Sequence, residues 1–423
     1  METVQMVLLT VLMFFVLVTV HEWGHYYFAK RAGILVREFA IGFGPKLFSY
    51  KRNETQFTLR LLPFGGFARM AGEDPELNQI EAGQTIAVRE SDGLVKTIYL
   101  DQLDNRKNVI RGEVQSIDLE DALTLMLDVD GDSQQFKVHP QALTVSKGQS
   151  VQIAPRDRQY GSKTVGQRAM AIFAGPLMNF VLAFVLFAIH VQMTGIQVAN
   201  PTNVIVGEVT EGMPADKAGI HEGDRIESIN GEQVGADRQK LIDLIAASKD
   251  RPMDWVIRRG DESLNLTITP VAMEGQEGGK VGIAPVLPTR QAGFAETFQV
   301  AGQSMVDTTV AIFDGFRQLI QNFSIDDLGG PVRTAEVTGQ IAKQGIDQLT
   351  YWAAILSLYL GIFNLLPIPA LDGSRLIFLG VEAVRGKPID PGREGMVHFV
   401  GFAMLFLLMI AVTYNDILRL ING

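Results

Sequence analysis

Four apolar runs constrain this 423-residue chain more than any other feature: Met6 to Ala29, Ala169 to Val191, Tyr351 to Leu366 with a continuation past a proline break, and Met396 to Tyr414. A helix needs about 20 such residues to cross the hydrocarbon core of a bilayer. The expected fold is therefore a polytopic α-helical membrane protein with four transmembrane helices. A cleaved signal peptide is the rival reading of the first run. Its leading residues, however, hold Glu2 and no lysine or arginine, and no small-residue cleavage site follows, so the run is taken as retained.

Basic residues give the orientation. Lys30, Arg31, Arg37, Lys46, Lys51, Arg52, Arg60 and Arg69 follow the first run, and Arg156, Arg158, Lys163 and Arg168 precede the second. Arg385, Lys387 and Arg393 lie between the third and fourth. Such flanks stay in the cytoplasm, which puts residues 192–350 and both termini outside. The formal charge of −10 argues against a nucleic-acid partner. Cysteine is absent, which excludes thiolate ligands and leaves His, Asp and Glu to hold any metal.

The first run carries the chemistry. Its uninterrupted part, Met6 to Val20, is only fifteen residues, so it spans a bilayer only if the helix continues through His21-Glu22-Trp23-Gly24-His25 to Ala29. His21 and His25 then share a helix face one turn apart, where two imidazoles bind one zinc ion, with Glu22 beside them to take a proton from water. Gly24 admits a close backbone neighbour. Ionisable residues at the centre of a span cost about 2.5–3.5 kcal/mol each on insertion scales, which demands a compensating purpose.

A hydrolytic zinc site has three protein ligands. Candidates for the third are His139, His190, His221, His398 and any carboxylate at the same depth. In Asn364-Leu365-Leu366-Pro367-Ile368-Pro369-Ala370-Leu371-Asp372-Gly373, two prolines break the third run, and Asp372 stands before an apolar helix, Ser374 to Val384. Asp372 is the favoured ligand, with His398 as main competitor and a helix N-cap as the plain alternative. The Asn364 amide could serve a substrate backbone or a developing oxyanion, or fill a carbonyl that the prolines leave open. In the second run, Gly175-Pro176 and Asn179 are explained by helix packing as well as by catalysis.

Between the spans, Lys46 to Lys51 and Thr55 to Leu62 read as a hairpin about Arg52-Asn53-Glu54, with the glycine pairs Gly42, Gly44 and Gly65, Gly66 around it. It is either an ordinary cytosolic hairpin or an edge beside the metal that pairs with extended substrate, Gly65 and Gly66 contributing to substrate binding. Short β-like runs with Asp92-Gly93 and Asp130-Gly131 turns suggest a small acidic β domain. Pro214-Ala215, Ala218-Gly219-Ile220, Gly223-Asp224-Arg225-Ile226 and Ile229-Asn230-Gly231, followed by a helix and two strands, resemble a PDZ domain, which accepts a peptide as an added strand.

Together these elements resemble the site-2 protease family of intramembrane zinc metalloproteases. The single readable PDZ module and the cytosolic insert are similar to its Gram-positive branch. The resemblance implies zinc held by His21, His25 and Asp372, Glu22 as catalytic base, Asn364 helping to hold the substrate strand, and the hairpin as a membrane-reentrant β-loop. The implied substrates are transmembrane segments of anti-sigma factors, remnant signal peptides or pheromone precursors.

The expected division is 1–31 for the first span, 37–70 for the membrane-associated β-hairpin, 73–165 for the cytosolic β-rich insert and 166–193 for the second span. It continues with 200–288 for an extracytoplasmic PDZ domain, 292–348 for extracytoplasmic amphipathic helices, 349–386 for the third span and 394–415 for the fourth. An ion-coupled transporter would leave Glu22 and the PDZ module unexplained, and a membrane-tethered, non-catalytic PDZ scaffold would need no zinc.

Overall fold

The structure, a computed structural model, describes residues 2–73, 80–272, 278–322 and 328–422. The opening of the acidic insert (74–79) and residues 323–327 of the amphipathic region lie outside the described residues. The chain forms two compact units, Met1–Phe187 with Gly302–Gly423, and Ala188–Ala301.

Among the described residues, four helical stretches are long and apolar enough to cross a bilayer: Val7–Arg31, Val165–Thr194, Ile346–Asn364 and Gly392–Arg419. The first lies in helix α1 (Glu2–Arg31), which runs unbroken through His21 and His25. The second is α2 (Val165–Thr194). Met13 and Leu17 of α1 pack on Leu349 and Ala353 of the third helix, with Leu182 and Leu186 of α2 against them. The last helix is mostly unburied, and Phe399, Phe402, Phe406 and Leu407 face outward, as lipid contact requires.

The hairpin is more elaborate than two strands. In β1 (Val36–Arg52) and β2 (Thr55–Met70), Phe39 pairs with both Phe57 and Ala68, and Ile41 with both Leu59 and Gly66. Residues 38–41 therefore lie between 56–59 and 66–69 in a curled, four-segment sheet. Gly42 and Gly65 allow the curl, each with positive φ and each so close to a neighbour that a Cβ would overlap it. The outer side of 66–69 has no strand partner among the described residues.

The insert folds as strands β3 (Thr85–Ser91), β4 (Leu94–Tyr99), β5 (Ile110–Asp118), β6 (Thr124–Val129), β7 (Asp132–Ser146) and β8 (Gln149–Gln152). Their order is β4-β3-β5-β6-β7-β8, and β4 also pairs in parallel with β7, so the sheet closes on itself around Ile86, Ile98, Leu125 and Leu127. Closure of β3 to β7 leaves the short β8, which pairs only with β7 among the described residues, as the remaining edge. Glu54, at the hairpin tip, fastens this module. It accepts two bonds from Arg158 (3.0 and 2.8 Å) and one each from Gln152 and Gln141, and it faces Lys30 of α1. The Arg158 hydrogen bonds hold its carboxyl down at about 2, against the upward push of burial.

The second unit carries a sheet with strand order 262–268, 253–259, 225–229, 204–209, 283–286. The short helix α3 (Pro214–Lys217) and the amphipathic α4 (Arg238–Ala247) accompany it. The core is centred on the fully buried Trp255, with Ile226, Ile229, Leu241 and Ile257. Asp224, buried in this unit, accepts from Nε and Nη2 of Arg259, each at 2.7 Å.

Beyond it come α5 (Phe294–Gln321), α6 (Pro331–Gln344), α7 (Ile346–Asn364), α8 (Asp372–Arg385) and α9 (Pro391–Asn422). The stretch 349–386 is thus two helices. Pro367 and Pro369 supply no backbone N–H and push the residues before them out of helical geometry, so the chain turns between Asn364 and Asp372.

Candidate metal centre

His21, Glu22 and His25 are all buried, at 7–8% exposure. The Nε2 atoms of the two histidines lie 3.3 Å apart. Asp372 Oδ2, arriving from the start of α8, lies 3.4 Å from His21 Nε2 and 3.3 Å from His25 Nε2. Tetrahedral zinc with ligands at about 2.0–2.1 Å separates its ligand atoms by about 3.3–3.4 Å, so this near-equilateral triangle fits one face of the coordination shell. Asp372 Oδ2 is buried without a hydrogen-bond partner, a costly state for a carboxylate that a cation relieves.

The surroundings orient each ring. His25 Nδ1 donates to the Ala171 carbonyl of α2 at 2.9 Å, which leaves Nε2 with its lone pair toward the centre. His21 Nδ1 lies 3.3 Å from the Asn179 amide, fully buried in α2. Turning the amide oxygen toward that nitrogen lets Nδ1–H donate and frees Nε2, and it partners an Oδ1 that otherwise has none. Asn179 also belongs to the helix packing expected of it, since its carbonyl accepts from Ser357 Oγ of α7 at 2.9 Å. Gly24 and Gly175 let α1 and α2 meet at the site: a Cβ on Gly24 would overlap the Ala174 carbonyl, and one on Gly175 would overlap the His25 imidazole.

The hairpin reaches the same place. A Cβ on Gly66 would stand 2.8 Å from Glu22 Cγ and 2.7 Å from the Ala40 carbonyl oxygen, so the 66–69 segment is pressed against the residue beside the triangle. Gly65 does not share this contact, since its nearest neighbour is the Phe43 ring. Tyr26, one residue past His25, packs its ring on Phe39 and Phe57 of the sheet.

The competitors go elsewhere. His21, His25 and Asp372 form the only group of three such ligands among the described residues. His139 Nδ1 accepts from the Gln141 backbone, and His398 Nδ1 accepts from the Ala370 N–H at 3.1 Å. The N-cap alternative for Asp372 also fails: Leu371 occupies the cap position and Asp372 is already the first helical residue. The Asn364 amide donates to the Leu360 carbonyl at 2.9 Å, one turn back in its own helix. That carbonyl differs from those of Phe363 and Leu365, which a helix through the prolines would have left open.

Two ion pairs that sequence reasoning did not single out hold α8 in place. Arg168 of α2 forms a fork with Glu382, one arm at 3.0 Å, and both side chains are mostly buried. Arg375 bonds Glu73, which lies just past the hairpin. Lone arginines and glutamates carry no signal of partnership over such sequence distances.

A family model described as peptidase family M50 matches residues 9–408. The zinc metalloprotease RasP of Geobacillus kaustophilus is 44% identical over 426 residues, covering 98% of each chain. The regulator of sigma-W protease RasP of Bacillus subtilis is 42% identical over 425 residues, covering 99% of each. A solved PDZ domain of an SdrC-like protein from Listeria monocytogenes is 26% identical, covers 21% of this chain and 93% of its own, and has a TM-score of 0.19.

Proposed function

The chain belongs to peptidase family M50 and is an intramembrane zinc metalloprotease, and we propose that its active centre is His21, His25 and Asp372 around zinc, with Glu22 as the base. The observation that carries this assignment is the triangle of ligand atoms at 3.3–3.4 Å, closed by a carboxylate from a separate helix. The transporter and scaffold readings fall away, because the matched family is a peptidase family and both relatives are proteases by name.

Bound zinc supplies Lewis acidity that makes water a nucleophile near neutral pH. The chain's own groups do the rest. Ala171 and Asn179 hold the two rings with their Nε2 lone pairs inward. Glu22 takes the proton of the attacking water and passes it to the leaving amine, so the carboxylate is regenerated. A helical substrate hides its carbonyls in its own hydrogen bonds and must unwind to be cut. The free edge at Gly66 to Arg69, beside Glu22, replaces some of those bonds by β-addition. Asn364, with its amide on Leu360, takes part in substrate binding only if that bond is exchanged. The purified protein should hold about one zinc per chain, and a strong chelator should stop cleavage until zinc is returned. Full activity in metal-stripped protein would sink the assignment.

The multi-pass chain is placed in a bacterial plasma membrane with residues 192–350 and both termini outside, by the basic flanks of the spans. Because native cysteine is absent, Ser263→Cys should react in whole cells with a membrane-impermeant maleimide and Glu90→Cys only after lysis. The reverse pattern would invert the topology. Residues 200–288 are read as a PDZ domain whose end strand, Ile283–Val286, has no partner on its outer side among the described residues and takes a peptide strand. Peptide binding to that segment expressed by itself, with amide shifts confined elsewhere than 283–286, would remove this groove. The substrates are transmembrane segments, of an anti-sigma factor, a remnant signal peptide or a pheromone precursor, and the name of the Bacillus subtilis relative, regulator of sigma-W protease, favours a regulator of a sigma factor.

A further inference from the structure

The loop that delivers Asp372 is held in a costly backbone conformation from outside. Ala370, two residues before the carboxylate, has φ +78°. That left-handed region suits glycine or asparagine, and an alanine has no side-chain bond to compensate. Its N–H is taken by His398 Nδ1 of α9 at 3.1 Å. The acceptor nitrogen must carry no proton, which leaves Nε2 as the protonated one, 3.7 Å from Glu394 Oε1. The same ring stands edge-on against Phe378 of α8, with centroids 5.5 Å apart. One turn along α9, Gly401 fits so closely to Pro369 that a Cβ would overlap it. The fourth span thus contacts the loop at Pro369 and Ala370 and the helix after it at Phe378, while contributing none of the three ligand atoms.

We propose that His398 is a positioning residue, whose bond to the Ala370 N–H keeps the loop in its left-handed turn and so aims Asp372 at the two histidines. Phe378 abuts the ring, Gly401 lets α9 approach the loop at Pro369, and the hydrogen bond sets the backbone. The proposal rests on Asp372 being a zinc ligand.

The test uses the full-length protein in nanodiscs, reading zinc retention against a competing chelator together with cleavage kinetics. His398→Phe keeps a ring against Phe378 and deletes the acceptor. It should lose zinc affinity by about tenfold or more, as removal of outer supports of metal ligands does, with kcat falling and KM nearly unchanged. His398→Asn, whose Oδ1 can stand in for Nδ1, should stay within about twofold of the parent on the same scale. Adding Ala370→Gly to His398→Phe should recover part of the loss, because glycine takes the turn freely. If His398→Phe does not accumulate, His398→Gln, with its amide one methylene too far, carries the same expectation.

Unchanged zinc retention in His398→Phe, or His398→Asn as impaired as His398→Phe, overturns the proposal. Asp372→Asn in the same assay separates the premise from the inference. Zinc kept in Asp372→Asn removes the ligand assignment, whereas zinc lost there but kept in His398→Phe removes only the positioning role.

Discussion

Glu22→Gln is expected to abolish intramembrane cleavage while zinc stays bound. The glutamine is nearly isosteric and sits in the same buried position, with Gly66 against its Cγ, so the fold and the triangle of His21, His25 and Asp372 should be untouched. What disappears is the group that accepts the water proton. Loss of a positioned general base costs about a hundredfold to ten-thousandfold, enough to leave uncut substrate in the membrane. The measurement is accumulation of the full-length substrate beside an unchanged zinc content, and wild-type turnover in this variant would exclude Glu22 as the base. The same variant tests the free sheet edge: a photocrosslinker at Ala68 should capture the trapped substrate, and failure to capture it would remove the pairing.

Asp372→Asn should act through the metal instead. The amide keeps the shape but removes the charge that closes the triangle, and two neutral imidazoles alone hold zinc weakly. Zinc affinity should fall by more than the tenfold to hundredfold typical of outer-shell partners, and activity should fall with it. The fold should survive, because α8 remains fastened by Arg168–Glu382 and Arg375–Glu73. The two variants therefore divide cleanly: one protein is inactive with zinc, the other inactive for want of it. Zinc retained at parental affinity in Asp372→Asn would return the search for the third ligand to its start.

Much of the site was legible because its main signals are local. The motif His21 to His25 lies on one unbroken helix, and helical spacing suffices to place both imidazoles on one face. Asp-Gly pairs mark the β3–β4 and β6–β7 turns because Asp92, Gly93, Asp130 and Gly131 all take positive φ there. Strand β5, in contrast, offers little apolar alternation between Ile110 and Asp118 and was not singled out. The hairpin was half seen. Its two tip strands follow from alternation about Asn53, whereas the second pairing of 38–41 depends on a curl that glycines permit but do not announce.

Non-local partners were harder. Asn179 was visible as a polar residue in a span, yet whether it served packing or the metal depended on His21 standing 3.3 Å away. His398 was read as a rival ligand, and it bonds the Ala370 backbone instead, because α9 meets the loop before Asp372 rather than the metal.

By itself the sequence determined four apolar segments, a histidine pair with its glutamate inside the first, and a proline-broken stretch ending in aspartate. Burial cost and helical period operate over a few turns, so they can be read along the chain. Only the tertiary structure decided that Asp372 closes the triangle, that Asn179 and Ala171 hold the rings, and that Gly66 lies against Glu22. Those relations depend on how separate helices and a curled sheet pack, and packing is set by contacts between residues whose distance along the chain says nothing about their distance in space.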